Sequence, residues 1–300
     1  MRYNKQFLAI TLAAVLAVPA FPQGKMKKAD QIAQGRKVIF WDDFSGNKLD
    51  RSKWTAEVTG SHVNDELQAY VDSASVISFV KGAAAEGASN GALVLSPKYL
   101  PGFKTADGQS FDFISGRLNT KDKFDFTYGK AEARIKMVAG SGLWPAWWML
   151  GYPSWPSGGE TDIMEFIGEG DWVSSAIHGP NYFGETPFVN RLYFDKKNDA
   201  SQWHVYAVEW TPERLVFKCD GVTVMRVTKT MAQHYGKWVF TGKQFLILNF
   251  AVGGIYPFKV NGIKKPYYGL SEQALELIKK RKAKMMVDWV KVTSCNGVIK

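Results

Sequence analysis

From about residue 37 onward, apolar and polar positions change places over short distances rather than in long runs. "KVIFWDDF" (37 to 44), "ALVLSP" (92 to 97), "KAEARIKMV" (130 to 138), "HVYAVEW" (204 to 210), "RLVFKCDG" (214 to 221), "VTVMRVT" (222 to 228), "QFLILNFAVGG" (244 to 254) and "MMVDWVKVT" (285 to 293) are rich in β-branched and aromatic residues. Gly, Asp, Asn or Pro bounds each of them, as expected of strands. "ARIKM" alternates as a strand with one wet face should, and Asp220-Gly221 supplies a two-residue hairpin turn. Only "SEQALELIKKRKA" (271 to 283) reads as a helix: Ser271 caps it, Ala274, Leu275 and Ile278 form its apolar stripe, and its last turns are basic. Many strands, one helix and no regular alternation between them predict an all-β sandwich or jelly roll. With no fixed repeat and no Pro- or Ser-rich linker, residues 37 to 295 read as one domain.

The first 20 residues stand apart. Arg2 and Lys5 precede the apolar run "FLAITLAAVLAV", which is too short to span a bilayer, and Val18-Pro19-Ala20 offers small residues for cleavage. Residues 1 to 20 are therefore expected to be a secretory signal peptide and 21 to 36 a polar lead-in. The expected product is exported, extracellular or periplasmic, with no membrane attachment once the signal is removed.

The formal charge is +10, and removing Arg2 and Lys5 with the signal leaves +8. The basic residues gather in "KMKK" (25 to 28) and "KKRKAK" (279 to 284), which read as solvated end segments; export further disfavours nucleic acid as a partner. Export permits a disulfide between Cys219 and Cys295, while two free buried thiols fit equally well. The spacing matches no zinc or redox motif. "GASNG" (87 to 91) fits the nucleophile-elbow pattern, but a strand follows it where a helix is required, so it reads as a turn.

The chemistry concentrates in "WPSGGETDIMEFIGEG" (155 to 170). On a regular strand Glu160 and Asp162 share a face and Glu165 points away from them. A β-bulge around Ile163-Met164 would return Glu165 to their side, and bulges often re-aim side chains beside active sites. Two carboxylates near one another cannot both ionise easily, so one is driven toward the protonated form beside an ionised partner, the pair that glycoside hydrolysis uses. A calcium loop is the rival reading, but its ligand spacing is absent. Just upstream, "SGLWPAWWML" (141 to 150) brings Trp144, Trp147 and Trp148, with Trp155 close behind. Alternation sends Trp144 and Trp148 to one face and Trp147 to the core; indole faces stack on sugar rings.

"GETDIMEFIG" resembles the E-x-D-x-x-E signature of glycoside hydrolase family 16, and "GLWPAWWMLG" resembles the segment that precedes it there. "WDDFSGNKLDRSKW" (41 to 54), "NDELQAY" (64 to 70), "SGRLNT" (115 to 120), "YGKAEARIKM" (128 to 137), "IHG" (177 to 179), "WHVYAVEW" (203 to 210), "NFAVGG" (249 to 254) and "VDWVKV" (287 to 292) follow in the family's order. The resemblance implies a two-sheet, concanavalin-like β-jelly roll with an open concave cleft for a polysaccharide, and endo-cleavage with retention of configuration. It implies Glu160 as nucleophile, Glu165 as general acid/base and Asp162 as helper. It further implies sugar contacts from Asn64 and Arg117, stacking by Trp144 and Trp148, and His178 facing the cleft; His204 fits a structural role as well. No cofactor is implied for the reaction, although some members hold a structural calcium through regions matching Asp43 and Asp288. The segments are most similar to laminarinases and other β-1,3- or β-1,3-1,4-glucanases acting as monomers. Galactan cleavage and non-catalytic glucan binding are the alternatives. Thr161 departs from the usual aliphatic residue but should point away from the acids.

Overall fold

The computed structural model describes residues 36–295 except Lys196; the expected signal peptide and nearly all of the lead-in lie outside the described residues. The described strands are β1 (Val38–Asp42), β2 (Thr55–Ala56), β3 (Gln68–Tyr70), β4 (Ile77–Val80), β5 (Ala92–Leu95), β6 (Lys98–Lys104), β7 (Ser110–Ser115), β8 (Arg117–Asn119) and β9 (Gly129–Met137) in the first half. The second half adds β10 (Leu143–Gly151), β11 (Glu160–Glu165), β12 (Trp172–His178), β13 (Phe188–Tyr193), β14 (His204–Thr211), β15 (Arg214–Cys219), β16 (Val222–Thr228), β17 (Gln244–Val252) and β18 (Met285–Ser294). An eight-stranded sheet runs β16-β15-β14-β9-β18-β5-β4, with β1 also on β18; a seven-stranded sheet runs β13-β12-β11-β10-β17-β8-β2. Pairing within both is antiparallel. A small third sheet, β3-β7-β6, stands beside them. This is the expected all-β jelly-roll sandwich.

The two large sheets share one core, to which the seven-stranded sheet contributes Trp147, Met149, Ile163, Met164, Leu246, Leu248 and Phe250. The eight-stranded sheet answers with Ala133, Ile135, Tyr206, Val208, Val290 and Val292. Burying each large apolar side chain here contributes roughly 1.5–3 kcal/mol, enough for the alternation to fix strand register. Trp147 is fully buried, as alternation along β10 required.

Asp220 and Gly221 both have positive φ (48° and 83°), so the hairpin turn has the twist that suits right-handed strands. The predicted helix forms as α3 (Glu272–Lys279), capped by Ser271 Oγ accepting from the Ala274 N–H at 3.1 Å, and it ends four residues sooner than expected. Two helices escaped the periodicity reading: α1 (Lys229–Gln233) and α2 (Ile255–Asn261). Each is two turns or fewer, too short to show a 3.6-residue stripe. "GASNG" is a turn leading into β5, as expected. Both cysteines are free thiols, so the open disulfide question resolves against pairing.

The basic cluster is not simply solvated. Arg281 is lodged with its guanidinium donating to the Pro97 carbonyl (2.6 Å), the Ser96 carbonyl (3.4 Å) and the Ser75 carbonyl, while Lys279 and Lys280 pair with Glu276. Among the described residues, no helix is long and apolar enough to cross a membrane.

Candidate active site

Strand β11 carries the three acids. Its pairing with β12 sets Asp162 opposite Ala176 and Glu165 opposite Ser174, so three steps on one strand match two on the other. The pairing with β10 shifts at the same place. This is the expected bulge, and its physical cause is visible in the core. Ile163 and Met164 are consecutive, yet both are buried there, which a regular strand forbids. The extra residue lets both turn inward and leaves Glu160, Asp162 and Glu165 on the opposite face. Thr161 points inward, its hydroxyl donating to Gln244 Oε1 at 3.0 Å, as anticipated.

Each glutamate is held by a tryptophan. Trp155 Nε1–H donates to Glu160 Oε2 at 2.6 Å, and Trp144 Nε1–H donates to Glu165 Oε1 at 3.1 Å. Between them, Asp162 is 4% exposed. Its Oδ2 makes no hydrogen bond, and His178 Nε2 lies 3.4 Å from it and 4.0 Å from Glu160 Oε1. His178 Nδ1 accepts from the Gly184 N–H at 3.2 Å, so in the neutral ring the proton sits on Nε2 and faces the acids. Burial pushes Glu160 up to about 8 and the negative charge of Asp162 adds to the effect. The same two causes, in the same order, raise Glu165 to about 8, and burial raises Asp162 to about 7. The cluster thus holds protons at neutral pH and can pass them, as general acid/base chemistry needs.

Cross-strand register extends the site over the sheet. One row runs Arg117, Asn249, Ala146, Glu165, Ser174 and Arg191 across β8, β17, β10, β11, β12 and β13. Facing partners in such a row project to the same side. Asp162 stands opposite Trp148, and Glu160 opposite His178. Arg117 Nε approaches Glu57 Oε2 at 2.9 Å, off the hydrogen-bond direction, and its guanidinium lies 5.0 Å from the centre of the Trp148 ring. Asn64 is exposed with a left-handed backbone (φ 56°), and a side chain on Gly254 would meet its carbonyl at 2.7 Å, so "AVGG" closes tightly on this loop. Trp148 is half-buried. Trp144 differs from the stacking platform expected of it: it is 9% exposed and packs edge-on against Tyr256. The structure therefore gives it the role of a hydrogen-bond donor to Glu165.

Sequence reasoning missed three neighbours: Tyr256, whose hydroxyl lies 3.2 Å from Ser174 Oγ; Asn249; and the indole contact of Trp155. A signal existed for Asn249, the one strongly polar residue inside the otherwise apolar "FLILNFAV".

The two residues matched to a calcium site have other partners. Asp288 is fully buried, and its oxygens accept from Ser89 N (2.8 Å), Ser89 Oγ (3.1 Å) and Arg134 Nη1 (2.5 Å). Arg134 Nη1 also donates to the Gly87 carbonyl at 2.7 Å. Asp43 accepts from Ser45 N (3.1 Å) and Asn90 Nδ2 (3.0 Å). A guanidinium already supplies the positive charge at Asp288, so that carboxylate does not fit a calcium ion. Among the described residues, two other groups have metal-ligand composition: Glu160, Asp162 and His178, at the acids themselves, and His204, Cys219 and Asp220. His204 has both ring nitrogens engaged, with Asp220 Oδ2 (2.7 Å) and the Asp199 carbonyl (2.9 Å), which is a structural role.

Comparison with known proteins agrees with this geometry. The glucan endo-1,3-beta-glucosidase A1 of Niallia circulans is 31% identical over 250 residues, covering 75% of this chain but 35% of that protein, so this chain spans about a third of that relative. The beta-1,3-glucan-binding protein of Penaeus monodon is 30% identical over 310 residues, covering 79% of this chain and 80% of that one. Among solved structures, the endo-beta-1,3-glucanase of Pyrococcus furiosus superposes with a TM-score of 0.72 at 31% identity, covering 86% of this chain and 94% of the other. Residues 59–256 match the family described as glycosyl hydrolases family 16. With the sandwich, the bulged strand and its three acids in place, the chain belongs to glycoside hydrolase family 16.

Proposed function

We propose that this chain is an exported, monomeric endo-glucanase that cleaves β-1,3-glucan of the laminarin type, or mixed-linkage β-1,3-1,4-glucan, with retention of configuration. The observation that carries the reading is the bulge that gathers three buried carboxyls on one face, with one indole N–H on each glutamate. In this reading Glu160 attacks the anomeric carbon while Glu165 gives its proton to the departing glycosidic oxygen. A glycosyl ester on Glu160 results. Glu165, now a carboxylate, takes a proton from water as that water attacks the same carbon, and Glu160 leaves as the carboxylate. Asp162 keeps the proton affinities of both glutamates high. Trp155 pins one oxygen of Glu160, leaving the other for attack. Asn64, Arg117, Trp148 and His178 hold the sugar chain around the acids.

Reducing-sugar release from laminarin and mixed-linkage glucan, set beside agarose and carrageenan, tests this. Release from either glucan is expected. Cleavage of the galactans alone would replace the substrate class, and binding of glucan by freshly prepared protein without cleavage would make the chain a binding protein, as the Penaeus monodon relative is named.

The reading needs no metal. Because Arg134 serves Asp288, chelation by EDTA should leave the thermal midpoint unchanged, whereas Arg134→Ala should destabilise the fold by roughly 3 kcal/mol, as breaking one half of a buried pair does. A midpoint that falls on chelation and recovers with calcium would overturn this.

A further inference from the structure

A directed chain of hydrogen bonds leads away from the acids to a residue that the reaction itself does not use. Trp148 Nε1–H donates to Asn249 Oδ1 at 2.7 Å. The Asn249 amide N–H donates to the Tyr70 hydroxyl at 2.9 Å, and that hydroxyl donates to Glu66 Oε2 at 3.4 Å. Every donor points the same way, so the last member must accept, which a carboxyl oxygen does whether or not the group carries its proton. The same Glu66 oxygen accepts from Gln68 Nε2 at 2.7 Å, and Oε1 accepts from Asn64 Nδ2 at 3.4 Å. Gln68 is in turn tied to β17, its Oε1 accepting from the Val252 N–H at 2.7 Å. Glu66 therefore sits where the 63–70 segment, β17 and β10 are stitched together. Burial holds its proton affinity above the usual carboxylate range, and Gln68, Arg117, Asn64 and Tyr70 offset only part of that rise.

The consequence lies at Trp148. An isolated Asn249 amide could turn over and present its N–H₂ to the indole, a donor against a donor. With Tyr70 fixed as acceptor by Glu66, the amide has one orientation, and the indole N–H has one direction in which to point. Arg117 lies over the same indole and 5.8 Å from the Tyr70 ring, so both aromatic rings flank one guanidinium.

We propose that Glu66 is a positioning residue for the sugar-binding face, setting the plane of Trp148 through Tyr70 and Asn249 and the amide of Asn64 directly. This rests on the reading of Trp148 and Asn64 as sugar contacts, but the geometry itself is testable without substrate. Tyr70→Phe removes one hydroxyl and keeps the ring. Glu66→Ala removes the terminal acceptor, and Glu66→Gln keeps a carbonyl oxygen for Tyr70.

The first measurement is the near-ultraviolet circular dichroism band that Trp148→Phe abolishes. It should also disappear in Tyr70→Phe and Glu66→Ala and persist in Glu66→Gln, while far-ultraviolet spectra confirm folding. The second is kinetics on laminarin: Tyr70→Phe and Glu66→Ala should raise KM about tenfold with kcat within about twofold, the pattern of lost uniform binding. In a Trp148→Phe background Tyr70→Phe should add nothing further. A band unchanged in Tyr70→Phe, or an equal rise in KM with and without Trp148, would overturn the proposal. Failure of the wild-type protein to cleave glucan would count against the functional reading alone, because the spectroscopic result stands apart from it.

Discussion

Glu160→Ala and Glu165→Ala should each lose at least roughly a thousandfold in kcat on laminarin while keeping a native far-ultraviolet spectrum. The loss follows from their positions on the bulged strand: each is fixed by one indole, and Asp162 is held between them. Azide separates the two roles. In Glu160→Ala the small anion can occupy the space of the lost carboxylate and attack the anomeric carbon of a β-glucoside directly. One displacement occurs, and the product is the α-glycosyl azide. In Glu165→Ala an activated aryl glycoside can still form the ester with Glu160, since its leaving group needs no proton. Azide then attacks without help from a base, and two displacements give the β-glycosyl azide. Proton NMR of the products reads the anomer. Exchanged anomers would swap the assignments, and near-normal hydrolysis by either variant would refute the site.

Asp162→Asn should move the whole pH–activity profile toward acid, by on the order of one pH unit. Turnover needs Glu160 ionised and Glu165 protonated, so activity falls on the acid side when Glu160 takes a proton and on the alkaline side when Glu165 loses one. Burial first, and repulsion by Asp162 second, lift both to about 8. The titration belongs to the interacting cluster rather than to one residue, and it places the wild-type optimum near or above neutrality, well above the range of exposed carboxyls. An asparagine carries no charge, so it removes the repulsion and lets both glutamates ionise at lower pH. An unchanged profile in Asp162→Asn, measured as kcat/KM against pH, would show that Asp162 does not set these affinities.

The same shifts have a sign for stability. A carboxyl whose folded-state proton affinity is raised binds its proton more tightly folded than unfolded. Its contribution is fully present below the unfolded value near 4.5 and is lost as pH rises through about 8. The acids therefore weaken the fold at the pH where they work, and the core of the sandwich must carry that cost.

Several features were legible in the sequence because they depend on neighbours along the chain. Alternation placed Trp147 in the core and Trp148 on the other face. The Asp220-Gly221 pair announced its turn, and three acids in an apolar strand demanded a bulge that Ile163 and Met164 then explain. Short helices were less legible: α1 and α2 are set by what they pack against, and a two-turn helix shows no period of its own. The basic "KKRKAK" looked solvated, yet Arg281 found three carbonyl oxygens contributed by residues 75 to 97.

The sequence by itself determined the all-β class, the family and the three acids, since periodicity and close spacing are local properties that any chain displays before it folds. Tertiary structure alone decided which group each of those residues meets. It turned Trp144 from a platform into a donor for Glu165, gave Asp288 an arginine 154 positions away, and ran a hydrogen-bonded path from Trp148 to Glu66 through Asn249, 179 positions from Tyr70. Those partners are brought together by sheet register and by packing of the two faces, and register is a property of strands in pairs.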